Sequence, residues 1–300
     1  MRVLVTGAGG FVGRHVLNEL KAHGHQPVAG ILKSESLSDT ETIALDICDA
    51  DQVRKAVQSQ NWDGVIHLAA ISHVGTAEKS PGKLVDVNVT GTGNLLHALS
   101  LAEKKPRFIF VSSSQVFATP SMSSALDEMS LTRPETPYGW SKLAAEDLCQ
   151  LYRSMGLDTV IVRPFNHIGP GQLPSFVVSG LASRIKSTPN GGVLKVGNLE
   201  TYRDFTDVRD IVRAYRMILE AKSPSSLYVL GSGTCLKIQD LLHSLLKVSG
   251  KDLKIEVDSA LLRKVDPAHF MANARLASQE LNWQPKLGIQ STLQEIYKDA

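Results

Sequence analysis

The first thirteen residues narrow the fold more than any other stretch. Arg2 to Thr6 is a short apolar run, and Gly7-Ala8-Gly9-Gly10-Phe11-Val12-Gly13 follows at once. Val12, Val16, Leu17 and Leu20 then recur at helical spacing as far as His23. Strand, glycine-rich turn and helix in that order open a dinucleotide-binding βαβ unit. Gly7 allows the tight turn, Gly10 lets a pyrophosphate approach the backbone, and Gly13 lets helix and strand pack closely. Phe11 and Val12 are read with Gly7 and Gly10 as cofactor contacts. The spacing is GxxGxxG, not the GxGxxG of many dehydrogenases.

The alternation then continues. Strands are expected at Pro27 to Leu32, Thr42 to Leu45, Gly64 to Ala70, Arg107 to Val111 and Thr159 to Arg163, with helices at Asp51 to Gln58, Pro81 to Glu103 and from Pro137. That pattern predicts an α/β fold, a Rossmann-like doubly wound parallel sheet with helices on both faces. A site preferring NAD ends its second strand in Asp or Glu, which holds the ribose diol. Here Lys33-Ser34 stands there, and a cation and a hydroxyl suit a 2′-phosphate. NADP(H) is therefore favoured over NAD(H), the plain alternative being that Lys33 is a solvated loop residue. Asp46 and Ile47 end the third strand, where a carboxylate can accept from the adenine amino group. Leu68-Ala69-Ala70 offers small residues where the cofactor backbone can pass. His67 reads as a packed strand residue rather than a ligand. Asn88 reads either as an amide ordering backbone and water near the site or as a structural residue.

Tyr138-Gly139-Trp140-Ser141-Lys142 carries the chemistry. A phenol and an ammonium four residues apart share one face of a helix. A tyrosine titrates near pH ~10 and is a poor proton carrier at neutrality; a neighbouring cation is expected to pull it down. Composition adds limits. With 300 residues, 43% hydrophobic and 21% charged, the chain suits an ordinary enzyme. A net charge of +2 gives no reason to expect nucleic acid or an acidic membrane surface. Cys48, Cys149 and Cys235 show neither a disulfide framework nor a metal spacing, so no metal and a cytoplasmic, reducing location are expected. Met1-Arg2 runs straight into the first strand, so no leader is expected. No apolar run approaches the ~20 residues of a membrane span.

The Gly7/Gly10/Gly13 loop, the serines at 112–114 and Tyr138-x-x-x-Lys142 together resemble the extended short-chain dehydrogenase/reductases, over essentially the whole chain. The resemblance implies that Tyr138 is the acid/base and that Lys142 binds the nicotinamide ribose. It also implies a serine bonding the reacting oxygen. Gln115-Val116-Phe117-Ala118 in the place of x-x-V-Y-G selects Ser113, with Ser114 next; Phe117-Ala118 departs from the usual Tyr-Gly. Pro164 joins the implied cofactor contacts.

Arg163-Pro164-Phe165-Asn166 through Gln172 resembles the segment of the nucleotide-sugar members, with Asn166 and Gln172 toward the substrate. Its longer form is similar to the branch that reduces GDP-4-keto-6-deoxy-D-mannose to GDP-D-rhamnose. By the same resemblance Arg203 grips the diphosphate, and Arg263 does so more weakly because Lys264 replaces the family's proline. Ser114 and Gln115, also implied substrate contacts, stand where dehydratases carry a carboxylate pair, and Gln115 where fucose-forming epimerase/reductases carry a cysteine.

The expectation is an NAD(P)H-dependent nucleotide-sugar 4-ketoreductase. The alternatives are a 4-epimerase and a non-catalytic NADP(H)-binding regulator. Residues 1–165 and 201–231 are expected to form the cofactor domain, and 166–200 and 232–300 the sugar lobe. A homodimer is implied through a four-helix bundle of the long helices.

Overall fold

The computed structural model describes residues 1–33, 37–72, 80–119, 124–261 and 269–300. Its centre is a seven-stranded parallel sheet in the order β10-β6-β5-β4-β1-β2-β3. These strands are β1 (Arg2–Thr6), β2 (Gln26–Ile31), β3 (Thr42–Ala44), β4 (Gly64–His67), β5 (Arg107–Val111), β6 (Thr159–Pro164) and β10 (Leu227–Leu230). β4 and β6 are buried throughout, which is why they are continuous apolar runs rather than alternating ones. Helices α1 (Phe11–Ala22) and α7 (Val208–Glu220) cover one face through Val16, Leu17, Leu20, Ile211, Tyr215 and Ile218. The other face is covered by α2 (Ala50–Gln58), α4 (Gly91–Ser100) and α5 (Pro137–Ser154). The chain leaves β1 for β2 and β3 on one side, then crosses to β4 on the other. The strand order therefore reverses between β1 and β4, and a ligand crevice opens at their carboxyl ends.

The expected long helix after Pro81 differs in detail. α3 (Pro81–Val85) passes through one π turn, Asp86–Thr90, before α4 begins at Gly91. The π turn ends just before Gly91. A Cβ on Gly91 would sit 2.7 Å from the Ile47 side chain, so Gly91 serves close packing.

The smaller lobe is built on β9 (Tyr202–Asp207). It pairs with β11 (Cys235–Lys237) on one edge and with β13 (His269–Phe270) and β7 (Asn166–Ile168) on the other. A second pair, β8 (Val193–Val196) with β12 (Lys254–Val257), and helices α6 (Val177–Ser187), α8 (Ile238–Ser249) and α10 (Ile289–Asp299) enclose its core. α9 (Arg275–Leu281) packs back on the large sheet's core. β9 belongs to the small sheet, so the chain rejoins the large one from Val208, not from 201. No helix among the described residues is long and apolar enough to cross a membrane.

Candidate active site

The crevice between β1 and β4 is shaped by glycines. Gly7 has φ +67, and a Cβ there would lie 2.7 Å from the Ala69 nitrogen. A Cβ on Gly13 would lie 2.5 Å from the Gly7 carbonyl, so only glycine lets α1 start this close to the loop. Gly10 is exposed at the N-terminus of α1, with Phe11 and Val12 half-buried behind it. Leu68, Ala69 and Ala70 are half-buried on the facing wall, held by Leu68 N–H to Thr6 O and by Ala69 N–H to Thr6 Oγ1. These residues form a cradle that added side chains would fill, and they fit a dinucleotide. Asp46 accepts from the Cys48 N–H at 2.9 Å, and Ile47 is buried with its carbonyl held by Asn94. Lys33 is exposed just past β2; Ser34 lies outside the described residues. Pro164 is buried at the end of β6.

The turn after β5 carries Ser113. Its Oγ accepts from the Gln115 N–H at 3.2 Å and caps a short 3-10 turn, Ser114–Val116. Helix α5 starts against this turn. Thr136 caps it by accepting from the Gly139 N–H, and Pro137 occupies the first turn. A Cβ on Gly139 would fall 2.2 Å from the Gln115 carbonyl, so glycine beside Tyr138 brings helix and serine turn into contact. Tyr138 lies beside Ser113, whose hydroxyl favours the phenolate. Ser114, expected among the substrate contacts, is buried, while Gln115 is half-buried.

The electrostatics depart from expectation. Burial pushes the Tyr138 phenol up to about 12, opposed by the Ser113 hydroxyl, and Lys142 makes no contribution. The Lys142 ammonium is buried 4.2 Å over the Phe110 ring, and burial pushes it down to about 8, against the pull of Cys149 and Glu146. The expected lowering of the tyrosine is therefore absent from the chain alone. Desolvation outweighs a cation that lies over an aromatic face.

A buried support, not foreseen from the sequence, lies one turn beyond Lys142. Glu146 is wholly buried, accepts from Ser112 Oγ and pairs with Arg163 at 2.7 Å. Arg163 Nη1 is buried without a partner, and its guanidinium lies 5.0 Å from the Phe117 ring. The available signal was a Lys and a Glu four apart on the buried face of an amphipathic helix. Asn88, in the π turn, donates to Ser141 Oγ at 2.9 Å and bonds both backbone groups of Ile71.

The 166–172 segment lies against the start of α1. Phe11 stacks on His167 with ring centroids 6.4 Å apart, and His15 Nε2 donates to the Pro170 carbonyl at 3.0 Å. Asn166 is half-buried and donates to the Asp204 carbonyl at 3.3 Å. Gln172 donates to the His167 carbonyl, leaving its buried Oε1 unpartnered. Arg203 is half-buried on β9, with Nη1 donating to the Tyr202 carbonyl. Arg263 lies outside the described residues. Among the described residues no cluster of three or more His, Cys, Asp or Glu could hold a metal.

Comparison with known proteins adds a family. Residues 3–231 match the NAD dependent epimerase/dehydratase family. GDP-6-deoxy-D-mannose reductase of Pseudomonas aeruginosa is 32% identical over 99% of this chain and 96% of that protein. The solved structure of RMD from Pseudomonas aeruginosa, complexed with NADPH, superimposes with a TM-score of 0.88 at 30% identity, covering 99% of this chain and 98% of that one. UDP-glucuronic acid 4-epimerase from Bacillus cereus, solved with UDP-glucuronic acid and NAD, gives 0.87 at 30% identity, covering 100% and 98%. Further curated relatives at 28% or 29% identity are UDP-glucose 4-epimerases.

Proposed function

The chain belongs to the NAD dependent epimerase/dehydratase family, and from that premise we propose that it is an NAD(P)-dependent enzyme acting at C4 of a nucleotide-linked sugar. In the finer reading it reduces the C4 ketone of a 4-keto-6-deoxy sugar, GDP-4-keto-6-deoxy-D-mannose to GDP-D-rhamnose, with NADPH preferred. The observation that carries this is the close packing of the Tyr138 turn of α5, through Gly139, on the Ser113 turn at the carboxyl edge of β5, beside the glycine cradle. A phenol pushed up to about 12 is held as the acid, the form that reduction consumes. The bound cofactor supplies the hydride. Tyr138 gives its proton to the nascent alkoxide, and Ser113 bonds the same oxygen, a donor worth about 3–4 kcal/mol in comparable sites. Lys142 holds positive charge beside them, while Asn166, Gln172 and Arg203 orient the nucleotide-sugar.

A second reading, a 4-epimerase, is favoured by the names of most relatives. Against it stand Lys33-Ser34 directly after β2, a cation and a hydroxyl that suit a 2′-phosphate, and the somewhat higher identity to the curated reductase. Stoichiometry separates the two. A reductase consumes one NADPH per GDP-D-rhamnose formed from GDP-4-keto-6-deoxy-D-mannose. Conversion of a nucleotide hexose to its C4 epimer without net cofactor consumption would establish the second reading instead. The homodimer remains a proposal, supported by exposed Trp140 and Leu151 on α5, and sedimentation as a monomer would remove it.

A further inference from the structure

His67 lies fully buried in a chain of hydrogen bonds that the proposed chemistry does not use. Thr92 Oγ1 donates to the Asn88 carbonyl at 2.7 Å, and a carbonyl only accepts, so this bond takes the one hydroxyl proton of Thr92. His67 Nε2 lies 3.0 Å from the same Oγ1 and must therefore be the donor. On the other side of the ring, Thr6 Oγ1 lies 2.7 Å from Nδ1 and already receives the Ala69 N–H. A doubly protonated ring would take away the Nδ1 acceptor of the Thr6 hydroxyl proton. A neutral ring protonated at Nε2 lets Thr6 donate to Nδ1, and every bond in the chain is satisfied. Burial and the charge of Lys142 both favour this neutral form, pushing the imidazole down to about 3. The rings of Phe108 and Phe110 pack against it at 5.7 and 5.9 Å.

The chain of bonds has two ends. Thr6 immediately precedes Gly7 of the cofactor cradle. Asn88 sits in the π turn and holds Ile71, just past Ala70, and Ser141, the residue before Lys142. We propose that His67, as the Nε2–H tautomer, is a positioning residue that locks the Asn88 π turn to β1 and so holds the Lys142 face of α5 in register with the cofactor cradle. The positioning role rests on the reading that Tyr138 and Lys142 carry the chemistry; the tautomer does not.

Two measurements test it. Histidine-selective ¹⁵N NMR of the whole chain, with the signal assigned by its loss in His67→Gln, should show Nε2 protonated and Nδ1 bare, unchanged between about pH 5 and 9. A proton on Nδ1, or titration in that range, overturns the proposal. In turnover of GDP-4-keto-6-deoxy-D-mannose with NADPH, His67→Gln places a donor near Thr92 and should keep kcat within about threefold, whereas His67→Asn ends short of Thr92 and should lower kcat about tenfold to a hundredfold, with NADPH affinity unchanged. Equal losses in the two variants, or a loss confined to NADPH affinity, would overturn it. Should His67→Asn fail to fold, Thr92→Val removes the same acceptor and must show the same kcat loss. Tyr138→Phe run alongside separates the readings: normal turnover there sinks the proposed function, while the NMR result still judges the tautomer.

Discussion

Two polar clusters, one in each lobe, differ in how their groups are held. In the small lobe Asp204 is wholly buried, and its carboxylate accepts from the Ser232 N–H and Oγ–H, the Gly233 N–H and the Ala272 N–H at 2.6 to 3.1 Å. Those bonds tie β9 to two loops, and no capacity is left over. At the head of α5, the Tyr138 phenol and the Lys142 ammonium are also withdrawn from water, but each is pushed toward its neutral form. A saturated cluster is scaffold. A cluster that burial pushes toward its neutral forms is held in place by the rest of the fold, and such groups gather at functional sites.

The contrast can be broken at either end. Tyr138→Phe should lower turnover about 10²–10⁴-fold while leaving the melting temperature unchanged or raised, measured by steady-state kinetics and a thermal melt. A variant that melts much earlier would place Tyr138 among the scaffold residues. Asp204→Ala should do the opposite. It orphans several buried donors and should cost about 3–5 kcal/mol of stability by urea unfolding. A small loss with altered KM would instead make Asp204 part of the site.

Lys142→Met gives the sharpest comparison. The folded pKa of Lys142, about 8, lies below the ~10.4 of an unfolded lysine. Between those values the unfolded chain binds more protons, so stability rises with pH, and below pH 8 the buried ammonium costs stability. Removing it should stabilise the chain by about 3 kcal/mol at pH 7. The gain should shrink as pH climbs from 8 toward 10, and turnover should be lost throughout. Thermal melts of both proteins across that range check the sign, and a gain that grows with pH would contradict it.

Much of the large sheet was legible because parallel strands buried on both faces must be apolar runs, as Arg2–Thr6, Gly64–His67 and Thr159–Pro164 are. The small sheet was not. β9 reads Tyr-Arg-Asp-Phe-Thr-Asp, and its carboxylates are spent on hydrogen bonds, Asp204 to two loops and Asp207 to Arg209 and Thr292, rather than on packing. β7, β11 and β13 are only two or three residues long and carry no period.

The cofactor loop and the Tyr138/Lys142 pair could be read from order and spacing alone, because both depend on local backbone geometry: a left-handed turn before a helix, and one helical turn between two side chains. Which way the phenol and ammonium shift, the pairing of Glu146 with Arg163, and the proton on His67 were decided only by the folded chain. Each depends on how much water is excluded and on partners supplied by strands 17 to 61 residues away.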